Sequence, residues 1–433
     1  MKKKKDLDID REPAGNERDA RVLYVLHSMN NDGSSRAFLN LVAEMKRMGV
    51  EVGATVPHKE GYLYDKLCSL GVKIFYRRGY PSFLQYPSQN IGHRERIKWY
   101  YTYSRIILGV HRDMYKIIKE FKPDVVHTNS SAIDYALLGC YLTRTPHVWH
   151  VRELLVEGCN MDVFPSLNLL KWKIKRPFSH SIAVTKAVYD YYNMSDKDTV
   201  IYDGVINEKR KIKPSSEFVF PYFLTVGYVS EVKGILSLVR KFAQFAQSNK
   251  DIHLMIVGGY CIGDDYYEQC VKVIEEYGTE GRVHFLGRRD DVYELMASAE
   301  ALFVCSKFEG FGFTPVEAMY CNTLVIGRNV GGVKEQFDIG LAQTGKEIAL
   351  RFVDEEELPK LMSRALSEDF SEMKQRARKV VLDNYTISRN AQQILTFYKQ
   401  ITLNFHKRKT EPQTEPLRWR NKKPAENQRV SNS

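Results

Sequence analysis

Two acidic residues, Glu309 and Glu317, stand eight positions apart in the stretch Ser306-Lys-Phe-Glu-Gly-Phe-Gly-Phe-Thr-Pro-Val-Glu-Ala-Met319. A close pair of carboxylates can divide acid and base work at a glycosidic bond. The plainer reading is a solvated loop acid beside a residue that complements a helix dipole. Their neighbours decide where the pair sits. Ala301–Cys305 is short, apolar and uncharged, as a buried parallel strand is. Thr314-Pro-Val-Glu317 reads as a helix start, with Thr314 as N-cap, Pro315 at the first helical position and Glu317 in the first turn. The expected unit is therefore strand, glycine-bearing loop and helix N-terminus. In an open α/β sheet, ligands bind at the carboxyl ends of strands, and a helix start there favours an anion. Glu309 lies on that loop, and Glu317 about one helical turn in.

Four more loops of this kind surround it. Lys233-Gly234 follows an expected strand Tyr222–Val226, and a Lys at a helix start can meet a diphosphate. Gly258-Gly259 follows a strand ending at Val257, and its glycines let a flat ligand lie against backbone. Gly287-Arg288-Arg289-Asp290-Asp291 follows Val283–Leu286, and Gly331-Gly332 follows Leu324–Ile326. Nearer the start, Gly33 lies between Asp32 and the pair Ser34-Ser35, with amides and hydroxyls suited to a phosphate; a simple Ser N-cap explains it as well. His150 closes the strand-like run His147–Val151, either as a strand-end core residue or as a group facing a cleft.

The elements that position these residues fall into two series. Residues 21–202 alternate apolar strands with helical periodicity: Arg21–Leu26, Val50–Val56, Val72–Tyr76, Asp124–His127, His147–Val151, Ser181–Val184 and Val200–Tyr202. Residues 203–220 are polar, basic and without period, and read as a linker. Residues 221–384 hold a second α/β series, and 385–405 a final helix. Such alternation implies an α/β fold of two doubly wound, Rossmann-like domains with a cleft between them. Residues 1–20 and 406–433 lack apolar periodicity and are expected to be disordered.

The chain of 433 residues carries a net charge of +11. Residues 81–122 hold eight Lys or Arg against three acids, and 401–433 the same excess. Aromatics interleave with that charge: Tyr80, Phe83, Tyr86, Trp99, Tyr100, Tyr101, Tyr103 and Tyr115 beside Arg94, Arg96, Lys98, Arg105 and Arg112. Leu167–Phe178 repeats the mixture. Basic aromatic helices suit an anionic membrane surface, and stacking on nucleic acid uses similar residues. No apolar run spans a bilayer, and Met1-Lys-Lys-Lys-Lys5 has no apolar stretch after it. Seven scattered Cys without a C-x-x-C pair fit a reducing cytoplasm and no zinc site. No ligand cluster accompanies Asp264-Asp265 or Asp290-Asp291, so no metal is expected.

Glu309-Gly-Phe-Gly-Phe-Thr-Pro-Val-Glu317 resembles the E-x7-E motif of the family-4 retaining glycosyltransferases, which have the GT-B fold. The resemblance runs from about residue 21 to 404. It is supported by Gly33, Pro123-Asp-Val-Val-His127, His147-Val-Trp-His150-Val-Arg-Glu153, Tyr202-Asp-Gly-Val205, Lys233-Gly234, Phe285-Leu-Gly287 and Gly331-Gly332. It implies a nucleotide-sugar donor, most simply a UDP-hexose, on the C-terminal domain. It also implies a saccharide or lipid-linked acceptor on the N-terminal domain, a last helix crossing back to that domain, and no cofactor. Carried over residue by residue, Glu309 and His150 would serve the sugar and the chemistry. Glu317 would take the ribose hydroxyls, and Lys233 the diphosphate. Gly33, Gly258, Gly287, Phe311, Gly312, Phe313 and Thr314 would line the donor site. The setting implied is capsule, exopolysaccharide or envelope glycan synthesis, in the cytoplasm or at the inner membrane face, with no nucleic acid as partner. The chain departs from the family where Tyr228 stands in place of a common Arg; Arg152, Arg288 or Arg289 is expected to supply that cation. A GT-B epimerase or phosphorylase, and a catalytically silent polyanion-binding scaffold, are the rival functions.

Overall fold

The computed structural model describes residues 20–31, 33–77, 82–87, 92–154 and 161–410. The expected tails fall almost wholly outside these residues, as does Tyr80. The first domain opens with β1 (Arg21–Val25), α1 (Gly33–Arg47), β2 (Glu51–Val56), α2 (Tyr62–Ser69) and β3 (Lys73–Tyr76). It continues through β4 (Leu84–Pro87), α3 (His93–Phe121), β5 (Val125–Thr128), α4 (Tyr135–Thr143) and β6 (His147–Val151). It ends with β7 (Met161–Phe164), α5 (Leu167–Ile174), β8 (Ser179–Ala183), α6 (Lys186–Tyr191) and β9 (Thr199–Val200). Seven of these strands make one parallel sheet in the order β3-β2-β1-β5-β6-β8-β9. Helices cover both of its faces, which is why the strands are apolar without alternation.

The second domain runs β10 (Tyr222–Val226), α7 (Ile235–Phe245), β11 (His253–Val257), α8 (Asp265–Glu276), β12 (Val283–Gly287) and α9 (Val292–Ser298). Then come β13 (Ala301–Val304), α10 (Phe313–Tyr320), β14 (Leu324–Arg328), α11 (Gly331–Thr344) and β15 (Leu350–Phe352). Its six strands are parallel in the order β12-β11-β10-β13-β14-β15. In both sheets the order reverses beside the first strand, which opens a crevice at the carboxyl ends. After α12 (Leu358–Ser367) and α13 (Ser371–Asn384), α14 (Ile387–Thr410) crosses back. It buries Ala391, Ile394, Leu395, Phe397, Tyr398 and Ile401 in one core with Val22, Tyr24, Phe38 and Leu41.

Three expectations change. The start of the 203–220 stretch is not a loose linker. Asp203, Val205 and Ile206 are buried, and Val205 and Ile206 donate to the Tyr385 carbonyl while Ile387 donates to that of Ile206. Two crossing segments side by side satisfy the backbone that burial strips of water. The aromatic segment after residue 80 is largely α3, and several of its rings pack inward. Trp99 lies 5.4 Å from Tyr86 and 5.5 Å from Phe164, centroid to centroid. The antiparallel pair β4–β7 that carries Tyr86 and Phe164 was not foreseen. Finally, α14 continues five residues beyond 405.

Candidate active site

The loop between β13 and α10 is fixed by its own backbone. Gly332 N–H donates to the Glu309 carbonyl at 2.8 Å, and Gln336 Nε2 donates to those of Phe311 (2.7 Å) and Gly312 (2.8 Å). The Gly310 carbonyl accepts from Thr185 Oγ1 of the first domain at 2.9 Å. A Cβ on Gly310 would fall 2.5 Å from the Arg152 carbonyl oxygen, so a side chain there would wedge the two domains apart. The helix begins at Phe313, not at Pro315. Gly312, at φ 87°, is the N-cap, and Thr314 is already the second helical residue. Pro315 is still tolerated, because no first-turn amide has an intrahelical acceptor. Glu317 accordingly lies deeper than the first turn.

At this loop Glu309 accepts from Ser306 Oγ at 2.8 Å and pairs with Lys233 Nζ. Lys233 ends a single 3₁₀ turn, Glu231–Lys233, and Gly234 follows at φ 67°. Two groups expected to serve the donor are thus in contact at the loop that leads into α10, and the Glu309 carbonyl lies at the start of α11.

Glu317 faces the other side of α10. It lines a cavity of about 520 Å³ between the domains, together with Gly33, Arg36, Arg210, Tyr293 and Phe313. Tyr293 Oη donates to Glu317 Oε1 at 3.3 Å. Burial pushes the Glu317 carboxyl above its usual range, against the pull of Arg36, the Tyr293 bond and Arg210. Gly33 lies against Phe313, whose Cδ2 would sit 3.1 Å from a Cβ at that position. The cavity therefore joins Gly33, Phe313 and Glu317, and its lining does not include the Lys233–Glu309 pair.

Other expected residues are placed differently. His150 is fully buried, and its Nε2 lies 3.8 Å from Asp203 Oδ1 without a hydrogen-bond partner among the described residues. It lies inside β6, where its Nδ1 meets His127 Nε2 and Arg152 Nη2, both at 3.2 Å. Burial first, then the Arg152 guanidinium, holds it neutral, well below the ordinary histidine value. Gly258, at φ 146°, has the Gly227 carbonyl oxygen where its Cβ would be, at 1.9 Å. That glycine lets two strand ends approach, and it stays partly exposed there. Gly287 ends β12 at φ 67° and accepts from Gly258 N–H at 2.8 Å. Of the three candidate cations, Arg152 is tied to Asp203, and Arg289 to Glu217 and Asp291. Arg288 is exposed; its Nε and the Tyr228 ring converge on the space beside Gly259.

A family model described as Glycosyltransferase Family 4 matches residues 31–209, and one described as Glycosyl transferases group 1 matches 207–382. The chain belongs to the family-4 glycosyltransferases of the GT-B fold. This family-4 chain is 29% identical over 264 residues to N-acetyl-alpha-D-glucosaminyl L-malate synthase of Bacillus anthracis, covering 55% of the chain and 65% of that relative. It is 25% identical over 202 residues to alpha-1,3/1,6-mannosyltransferase ALG2 of Dictyostelium discoideum, covering 42% and 48%. The matches thus span about half to two thirds of these relatives. Among solved structures, Anabaena Alr3699/HepE in complex with UDP and glucose superposes with a TM-score of 0.68 at 18% identity, covering 88% of this chain and all of that one. A glycosyltransferase of Rickettsia africae superposes at 0.69, also at 18% identity, covering 90% and 100%. At such identities the likeness is one of fold.

Several residues of this family-4 site carried no signal on their own in the sequence. Glu335 of α11 accepts from the amides of Lys186 (2.7 Å) and Ala187 (3.2 Å) and from Tyr202 Oη (2.8 Å), all in the first domain. Thr185, Arg36 and Tyr293 likewise act across the domain boundary or around Glu317. The Gly331-Gly332-x-x-Glu335 spacing was the only hint, since it puts Glu335 on the first turns of a helix.

Proposed function

We propose that the protein is a retaining glycosyltransferase that moves a hexose from a UDP-sugar to a hydroxyl of a saccharide or lipid-linked acceptor. The observation that carries this is the Lys233–Glu309 pair at the loop that leads into α10. It sets a cation for a leaving diphosphate beside a carboxylate for positive charge at the anomeric carbon. Lys233 and the amides of Phe311, Gly312, Phe313 and Thr314 stabilise the departing phosphate. Glu309 stabilises the oxocarbenium-like carbon. Glu317 accepts from the ribose hydroxyls, and Gly33 lets the first domain close on the phosphate. The bond from the anomeric carbon to the phosphate oxygen breaks, and the bond to the acceptor oxygen forms on the same face. The acceptor proton passes to the leaving phosphate oxygen. No covalent nucleophile, metal or cofactor enters this scheme. Capsule, exopolysaccharide or envelope glycan assembly at the cytoplasmic face of the membrane is the proposed setting.

Nucleotide sugars are screened by thermal shift, where a ligand at a hundredfold over its Kd adds about 2.7 kcal/mol. Donors that bind are then incubated with and without saccharide acceptors. UDP release that requires an acceptor, with retained configuration in the product, supports the reading. Sugar released or rearranged without an acceptor makes the protein a phosphorylase or epimerase instead.

A further inference from the structure

One end of the first domain carries an exposed apolar face. α4, Tyr-Ala-Leu-Leu-Gly-Cys-Tyr-Leu-Thr, is apolar on every side. Tyr135, Ala136, Leu137, Gly139 and Cys140 are buried against the sheet and α3. Leu138, Tyr141 and Leu142, at i, i+3 and i+4, are 45%, 61% and 57% exposed. A helix apolar all round normally has a partner on each side. α4, α5 and α14 together border an open groove of about 1470 Å³. Trp172 of α5 is exposed at the same groove.

The rim of this face is basic. Arg144 and Arg176 line the groove, Arg144 is exposed, and the Arg176 guanidinium lies 3.6 Å over the Trp172 ring. The acids of the groove are largely spoken for: Asp134 is held by Lys173, and Asp198 by the amides of Ser181 and Ser195. Asp196 is the exposed acid. A second copy of the chain would set this cationic rim against itself in a two-fold contact, which is unfavourable. An anionic bilayer satisfies all three features at once: acyl chains for the leucines, the interface for Tyr141 and Trp172, and headgroup charge for the rim. We infer that the α4–α5 pole is the docking surface for an anionic lipid bilayer. This placement is independent of the reaction at the cleft.

The test uses the full chain and flotation with vesicles of phosphatidylcholine, with or without roughly a quarter phosphatidylglycerol. The wild-type protein floats with the anionic vesicles and not with the neutral ones. Combined Leu138→Ser, Tyr141→Ser and Leu142→Ser lowers the partition at least tenfold. Combined Arg144→Gln and Arg176→Gln lowers it about thirtyfold. The thermal shift given by UDP stays that of the wild type in both, so loss of docking is told apart from loss of the donor site. Several results overturn the proposal. One is a wild-type protein that does not float, and another is one that floats equally with neutral vesicles. A third is a serine variant that floats like the wild type, which would place binding in the basic tail or on α3. The last is a wild-type dimer that the serine variant turns monomeric in sedimentation, which would make a second copy the partner.

Discussion

Glu309→Gln separates chemistry from binding at the candidate site. The substitution keeps the size of the side chain and can keep the bond from Ser306 Oγ, but it removes the charge paired with Lys233. The pair is only partly buried, with Glu309 14% and Lys233 34% exposed. Its loss therefore costs the fold no more than about 1 kcal/mol, and the Tm moves by a few degrees at most. Catalysis should respond much more strongly. A preorganised group aimed at charge that develops only in the transition state contributes about 3 to 4 kcal/mol, or about 10²- to 10³-fold in kcat. Affinity for UDP should hold or tighten, because Lys233 then presents an unshared charge to the diphosphate. Steady-state UDP release gives kcat and KM, and calorimetry with UDP gives Kd. A kcat within about threefold of wild type, or a KM that rises while kcat holds, would refute the assignment of Glu309 to the reacting sugar.

Other perturbations have equally definite outcomes. Glu317→Gln should weaken UDP binding about 10- to 100-fold, the loss of a bond to a charged acceptor. It should also raise the Tm of the unliganded protein at neutral pH. The Glu317 carboxyl sits above its usual range when folded, so the stability tied to its proton is present at low pH and lost as pH rises through the carboxylate range. A Gln has no such loss. Gly310→Ala should lower kcat/KM at least tenfold in steady-state assays of UDP release, because its Cβ meets the Arg152 carbonyl of the facing domain. Arg152→Ala should lower stability by about 3 to 5 kcal/mol in urea unfolding, since it strands Asp203 in the interior. Acid unfolding should begin as pH falls below about 6.5, where unfolded histidines protonate. His127 and His150 are held neutral well below that, and His147 down to about 3. Each contributes about 1.4 kcal/mol per pH unit to the slope, and His147→Gln should remove one such share.

The parts of the fold that were legible are those where one physical cause acts alone. β6, β10 and β11 were expected at 147–151, 222–226 and 253–257, and lie there. They are mainly apolar runs, largely buried and broken only by His147, His150, Thr225 and His253, and they are followed by Arg152, Gly227 and Gly258. What was missed depends on residues far apart in the chain. The β4–β7 pair joins Leu84 to Phe164, and Glu335 reaches Lys186 across 149 positions. No local period records such contacts. The start of α10 was misplaced because Thr-Pro is a common opening, whereas the positive φ of Gly312 ended the loop two residues earlier. His150 is expected near a strand end, and it is the fourth residue of β6. Strand residues alternate in facing, and sequence alone did not tell that this ring points at His127 and Arg152.

The return of α14 to the first domain also bears on how the chain is made. The core around β1 and β2 includes Ala391, Ile394, Leu395, Phe397, Tyr398 and Ile401. Synthesis proceeds from the amino end, and domains usually fold as they emerge. Here the first domain to be synthesised is the last to be finished. Until residue 401 has left the ribosome, the core that α1 and α2 build over Val22, Tyr24 and Val52 lacks the apolar residues that α14 adds to it. The second domain can close on its own sheet before then. A nascent chain halted between residues 384 and 401 would therefore hold one folded domain and one sticky half, which is the state in which chaperones would be expected to find it.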